Sequence, residues 1–533
     1  MLSRLFFVLA VVLAAVATPA HAAPLTLEQL KAARHKAAER PRRVIFNNDG
    51  NEPVYLCKDT TPEELLRHRT TALAGTHVDS IFYCTWSGGL DLFTHATKVG
   101  HNFVTKEGRF ATNMTDKLLA AGTDPLQVMV DFGKQHKIEI FWSFRLNDTH
   151  DAANEDYGPI MWRANPFKLA HQDWLIGAAD QKPKFGGWTA VDYARPEIRD
   201  HAVELAAEVC QNYDVDGIEL DFFRHPVFFR RHAQTGTPCN DEERAQMTEF
   251  VTRVRAATEA AGLKRGRPIL VAMRVPDSVE YCRDIGIDLE QWLKAGLLDL
   301  MVVAGYYQLN PWETSVALGH KHGVRVYPSL DESRVQDVAA KKLRMSVSSY
   351  RGRALNVWRS GADGIYLFNS FDPHNAIWRE LGDAKQLASL DQDYFASVRG
   401  VGGAAGNALP HREYQKIPTL NPKSPLKVVG GAATETSIKI GAVPATNAAG
   451  QAAEVMLRLQ FKELAAPQSV HVKLNGQLLD GGKLTDGWLV FPLLDCAIKA
   501  GENQVAVALA GSEPSLDWTD LHCTIRWPEK PNK

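Results

Sequence analysis

The residues best suited to chemistry stand in one short run, Gly217-Ile-Glu-Leu-Asp221, within the stretch Tyr213–Pro226. The run has strand length and an apolar character. Side chains alternate across a strand, so Gly217, Glu219 and Asp221 share one face while Ile218, Leu220 and Phe222 share the other. Two carboxylates facing a protein core are costly unless they are paired or used. Crowding of like charges also drives their pKa values apart, the condition for pairing one acid with one base. Asp221, at the strand end, is expected to be catalytic. Glu219 lies one strand repeat deeper, and is either catalytic or the partner of a buried cation such as Arg145 or Arg274.

Eight apolar runs set the frame around that pair. They are Arg43–Phe46, Ser80–Cys84, Ile138–Phe144, Gly217–Asp221, Ile269–Met273, Leu298–Ala304, Val324–Tyr327 and Gly364–Phe368. Stretches of helical periodicity separate them. After Pro196, for example, Ile198, Ala202, Leu205, Ala206 and Val209 fall close to a 3.6-residue period. Eight strands alternating with helices predict a (β/α)8 TIM barrel, within the α/β class. An open doubly wound sheet is the competitor, but no Gly-x-Gly-x-x-Gly turn follows the first strand.

In such a barrel the reactive groups gather where strands end. The candidates there are Asn48 and Asp49 after strand one, Trp86 after strand two, and Arg145, Asp148 and His150 after strand three. Arg274 follows strand five, Tyr306 strand six, Asp331 and Glu332 strand seven, and Asn369 strand eight. All but Glu332 are assigned to substrate binding. Glycosidic cleavage needs a carboxylate on each side of the scissile bond, so Glu332 is the expected second catalytic carboxylate, with Asp331 as its alternative. Competing structural roles exist for several of these. Asn47–Gly50 would serve as a turn, Asp331 or Glu332 as a helix cap, and each tryptophan as core. The long connection from Arg145 to Trp188 is expected to form a wall or lid.

The remaining features exclude more than they assign. The 18 histidines show no H-x-x-x-H or H-E-x-x-H spacing, so neither a metal nor another cofactor is expected. No Gly-x-Ser-x-Gly elbow or phosphate loop is present. Net charge is -2 over 533 residues, which gives nucleic acid no electrostatic purchase. Residues 1–22 read as a secretory signal: a basic start, the apolar run Leu5–Ala17, and the A-x-A site Ala20-His-Ala22. A secreted or periplasmic location without a membrane anchor follows. Seven cysteines lack C-x-x-C spacing, and Cys496 and Cys523 either pair or remain buried thiols.

Length alone calls for more than one domain. Residues 40–395 are assigned to the barrel. Residues 396–425, rich in Gly and Pro, read as a linker, and 426–530 as a small β-sandwich. The runs Val470–Leu474 and Gln504–Leu509, with turns at Asn475-Gly476 and Gly501–Asn503, carry that last reading.

Trp174-Leu175, Asp192-Tyr-Ala-Arg-Pro-Glu-Ile-Arg-Asp200 and Tyr213-Asp-Val-Asp-Gly-Ile218, ending at Asp221, resemble the glycosyl hydrolase-like 10 family of bacterial TIM-barrel proteins. The chain departs from that pattern at Glu219, where the family commonly has His. It departs again at Phe222 and Phe223, where the family has an acid and Tyr. The tail is similar to the galactose-binding-like sandwiches attached to many glycosidases. The resemblance implies glycosidic-bond cleavage in a polysaccharide or cell-wall glycan. Two rival readings stay open: a non-catalytic glycan-binding protein on the same scaffold, and a polysaccharide lyase using Tyr306 and Arg145 on a uronic acid.

Overall fold

The computed structural model describes residues 25–331, 334–399, 411–444, 452–464, 466–493, 498–510 and 515–528. The expected signal segment, Glu332 and Cys496 lie outside them. Eight parallel strands form the first unit: β1 (Val44–Asn48), β2 (Val78–Tyr83), β3 (Glu139–Arg145), β4 (Gly217–Asp221), β5 (Leu270–Val275), β6 (Leu300–Val303), β7 (Arg325–Asp331) and β8 (Ile365–Phe368). Each bonds to the next, and β8 returns to β1, with Val44 opposite Ile365 and Phe46 opposite Leu367. That closure makes the unit a TIM barrel and excludes an open sheet.

Helices cover the outside. Pro196–Asn212 buries Ile198, Ala202, Leu205, Ala206, Val209 and Cys210 against the strands, the stripe its periodicity specifies. Inside, Phe82 and Phe141 stack with ring centroids 4.4 Å apart, and Ile45, Leu270, Val302 and Tyr327 complete the filling. Gly217 is required here because a Cβ would stand 2.2 Å from Phe141 Cε1. The motif glycine is therefore a packing residue, and it lets the two carboxylates above it rise toward the mouth.

The lower end of the barrel is closed by the helix Leu27–Ala38 and by one buried ion pair. Arg42 grips Glu139 through Nε at 2.7 Å and Nη2 at 2.9 Å. Its other donors reach the carbonyls of Ala37, Ala38 and Arg40.

The C-terminal unit is all-β. One sheet contains β9 (Gln392–Phe395), β10 (Leu426–Val429), β12 (Glu454–Phe461), β15 (Lys483–Thr485), β16 (Trp488–Pro492) and β18 (Ser515–Arg526). The other contains β11 (Thr434–Ile440), β13 (Val470–Leu474), β14 (Gln477–Leu478) and β17 (Gly501–Leu509). Residues from both sheets, among them Ile438, Leu457, Val507 and Trp518, share one apolar core. The last residues of the span assigned to the barrel form β9, which pairs with β18 and places Tyr394 in this second core. The two units are bolted together by Arg344, whose Nη1 and Nη2 bind Asp520 at 2.9 and 2.7 Å, both side chains buried.

Cys57, Cys84, Cys210, Cys239, Cys282 and Cys523 are buried free thiols. No helix among the described residues is long and apolar enough to cross a membrane.

Candidate active site

A cavity of about 250 Å³ opens at the C-terminal ends of β1–β4. Five of the sequence candidates line it: Asp49, Trp86, Arg145, Asp148 and His150. The connection after β3 forms its wall through His150, Glu155, Tyr157 and Met161, as the length of that connection led one to expect. Arg145 lies between two carboxylates. Its Nη2 bonds Asp49, and its Nη1 is 3.6 Å from Asp148. Burial alone would raise the Asp49 carboxyl, but the neighbouring Arg145 and Arg224 outweigh it and hold the group below the usual carboxylate range. Asp148 behaves alike: burial opposes ionisation, while the His150 contact at 2.8 Å, His225 and Arg145 drive its pKa well down. Both groups are therefore fixed anions, suited to stabilising positive charge.

The backbone here is strained. Thr85, Trp86 and Ser87, directly after β2, have φ of 47°, 71° and 42°, a left-handed run without a glycine. That run places the Trp86 indole at the cavity, where its N–H has no partner among the described residues. The ring is otherwise packed against Phe103, at 5.3 Å, and Tyr55, so Trp86 is only 9% exposed. It is a wall of the cavity rather than an open platform.

Asp221 stands beside this cavity, in register with Arg145 across β3 and β4. Its Oδ1 accepts the amides of Phe223 and Arg224, both at 3.0 Å, and Arg274 reaches Oδ2 at 3.3 Å. The alternative role for Glu219, a bridge to Arg145 or Arg274, does not form, because those cations go to Asp49 and Asp221. Glu219 instead accepts from Tyr366 Oη at 2.9 Å and Ser143 Oγ at 2.5 Å. It is fully buried. Desolvation first, and repulsion by Asp221 second, raise its pKa to about 7.

The other candidates are dispersed. Asn48 is consumed by the turn after β1, donating to Glu52 at 2.6 Å and accepting from Gly50 N. Tyr306 is half-buried, with Arg334 4.5 Å above its ring and Arg224 at 5.4 Å. Asn369, half-buried after β8, adopts φ 59°. Asp331 is wholly enclosed beside Arg399, at 3.2 Å, and burial raises its pKa.

Several site residues escaped sequence reasoning. Arg224 and His225 follow Asp221 by three and four residues, and their place at a strand end was the available signal. Arg109 and Tyr157 come from connections whose path only the fold reveals. Arg399, in the segment read as linker, donates to the carbonyls of Gly305 and Ser329. The fold also gathers metal-type donors that no local spacing announces: Asp148, His150 and His225 lie within 4.8 Å of one another. Arg145 beside Asp148, and Arg224 at 2.9 Å from His150 Nε2, already supply positive charge there and oppose a divalent ion.

Residues 71–317 match the model of the Glycosyl hydrolase-like 10 family. That glycosyl hydrolase-like segment runs from before β2 to beyond β6. It carries Trp86, Arg145, Asp148, His150, Glu219, Asp221, Arg224, Arg274 and Tyr306, and leaves Asp49, Asp331 and Asn369 outside. No curated protein is significantly similar in sequence. Among solved structures, an alpha-L-fucosidase isoenzyme from Paenibacillus thiaminolyticus aligns at 14% identity and TM-score 0.40, over 66% of this chain and 49% of that one. A cycloisomaltooligosaccharide glucanotransferase from Paenibacillus sp. aligns at 11% identity and TM-score 0.35, over 91% of this chain and 57% of that one. The chain thus spans about half the length of these two proteins. The glycoside hydrolase domain of PgaB (BpsB) from Bordetella bronchiseptica aligns at 12% identity and TM-score 0.41, over 64% of this chain and 98% of that domain.

Proposed function

We propose that the protein is a secreted glycoside hydrolase that cleaves a polysaccharide or cell-wall glycan at the mouth of its barrel. The observation that carries the reading is the coincidence of the glycosyl hydrolase-like segment with a carboxylate-bearing cavity at the C-terminal strand ends. Asp221 is the reacting carboxylate. Two amides and Arg274 fix its orientation, so it either bonds to the anomeric carbon or takes a proton from the attacking water. Asp49 and Asp148, held ionised, stabilise the positive charge that develops on the sugar ring. Their low pKa values unfit them as proton donors, so the acid comes from another residue. Glu219 is fully buried below Asp221 on Tyr366 and Ser143, and Asp331 is sealed against Arg399, so the neighbouring Glu332 is assigned to protonate the leaving oxygen.

The test is product chemistry on a glycan panel with wild type, Asp221→Asn and Glu332→Gln. Hydrolysis yields saturated reducing ends, and Asp221→Asn abolishes them. Glu332→Gln should depress turnover of natural glycosides far more than of activated aryl glycosides, which leave without protonation. Unsaturated ends would replace this reading with a lyase, and no products with retained binding would replace it with a glycan-binding protein.

A further inference from the structure

The cavity wall holds three guanidinium groups, Arg109, Arg145 and Arg224, and their partners are unequal. Arg145 is matched by Asp49 and Asp148. Arg224 is not matched. Among the described residues no carboxylate oxygen lies within 4 Å of it, and its only side-chain hydrogen bond joins Nη2 to His150 Nε2 at 2.9 Å. That contact uses His150 as acceptor, with Nδ1 turned to Asp148, so the imidazole brings no negative charge. Nε is buried without a partner, and Nη1 has no hydrogen bond to the described residues. The carboxylates nearest to Arg224 face other groups: Asp49 and, at 3.6 Å, Asp148 turn to Arg145, Asp148 also accepts from the neutral His150, and Asp221 meets Arg274.

Arg109 repeats the pattern at the rim. It has no carboxylate partner among the described residues, and its guanidinium lies 5.0 Å from the Tyr157 ring and 5.7 Å from the Tyr55 ring. Tyr157 in turn neighbours the His150 ring, at 6.2 Å, so Arg109, Tyr157, His150 and Arg224 form one continuous wall. Glu155, exposed at the rim, is the one lining carboxylate without an ion pair among the described residues.

A largely enclosed guanidinium with unused N–H groups and no carboxylate in contact gains a charge-assisted pair when a ligand supplies an anionic oxygen. Neutral hydroxyls would satisfy the N–H groups without forming that pair. We infer that the cavity selects a sugar carrying an acidic substituent, a carboxylate or a sulfate, which is held by Arg224 and Arg109. The inference rests on the glycosidase reading for the sugar itself, but on different residues.

The experiment uses the full chain as Asp221→Asn, so that binding is read without turnover. Calorimetric titration compares uronate oligosaccharides with their carboxyl-reduced counterparts, and sulfated oligosaccharides with desulfated ones, at two salt concentrations. We expect one acidic class to bind at least about tenfold more tightly than its neutral match, with a gap that narrows in salt. Which class shows the gap identifies the acid group. Adding Arg224→Gln, or separately Arg109→Gln, should shrink the gap to about threefold or less. Arg109 is exposed, so its substitution reports even if the Arg224 variant folds poorly. Equal binding of acidic and neutral chains, binding of neither, or a gap that survives both substitutions overturns the inference. The two proposals fail separately. Acid-selective binding without wild-type cleavage sinks the glycosidase reading alone, and cleavage of neutral glycans without acid preference sinks this inference alone.

Discussion

The two ends of the barrel bury the same chemistry and satisfy it differently. At the lower end Arg42 makes five hydrogen bonds, two of them to Glu139, and Ser80 Oγ adds a third contact to that carboxylate at 2.8 Å. At the upper end Arg224 Nε, Arg274 Nη2 and Trp86 Nε1 are buried without a hydrogen-bond partner among the described residues. Unbonded arginine donors occur at the lower end too, on Arg34 and Arg255, but both of those pair with Asp299, whereas Arg224 has no carboxylate among the described residues within 4 Å. Left-handed φ values recur there at Thr85, Trp86, Ser87, His225, Ala304 and Asn369, all just past a strand. The lower end keeps each of its buried arginines beside a carboxylate, Arg42 with Glu139, Arg34 and Arg255 with Asp299. The left-handed run and the unpaired Arg224 therefore mark the upper end as the one built to meet a ligand.

Four measurements would break or sharpen that contrast. The largest effect is expected from Asp221→Asn, which should lower kcat by about 10⁴-fold or more, ~5 kcal/mol of lost transition-state stabilisation, with native circular dichroism retained. Activity within a few-fold of wild type would remove Asp221 from the mechanism. Next, Arg42→Met strands the buried Glu139 charge and should destabilise the protein by about 3–5 kcal/mol in denaturant titration. Turnover per folded molecule should stay within about threefold. If it collapses instead, the lower end is not purely structural.

The third effect follows from Glu219. Its carboxyl has a native pKa raised to about 7 by burial and by Asp221, whereas in the unfolded chain it ionises near its ordinary value. The native state therefore holds the extra proton between those values. This contribution to stability is complete below pH 4.5 and is lost as pH rises through 7, up to about 3 kcal/mol in all. Unfolding titrations at pH 5 and pH 8 should show the decline, and Glu219→Gln should flatten it. A slope unchanged in that variant would assign the titration to another group. The smallest effect compares two left-handed residues. Lys137→Gly, at the C-cap of helix Pro125–His136 below the barrel, and Ala304→Gly, after β6, should each gain roughly 0.5–1 kcal/mol. Only the upper substitution is expected to reduce activity; equal effects on activity would separate strain from function.

Much of this molecule is legible from alternation and period. The face shared by Gly217, Glu219 and Asp221, the eight strand-length runs and the buried stripe of helix Pro196–Asn212 all follow from local geometry, which the sequence carries directly. So does the position of candidates at strand ends, and Asp49, Trp86, Arg145, Asp148 and His150 do meet around one cavity. Partner choice is different. Whether Arg145 meets Glu219 or Asp49, whether Asp331 faces a ligand or Arg399, and whether Asn48 binds sugar or Glu52 depend on strand register, barrel tilt and the route of distant loops. Those are set by packing across the whole barrel, so no window of sequence contains them. The sequence by itself determined which strand-end groups come to the mouth, while Arg109 and Tyr157 reach it by loop paths that only the fold sets. Only the tertiary structure decided which of them pair with one another, and left Arg224 without a carboxylate in contact.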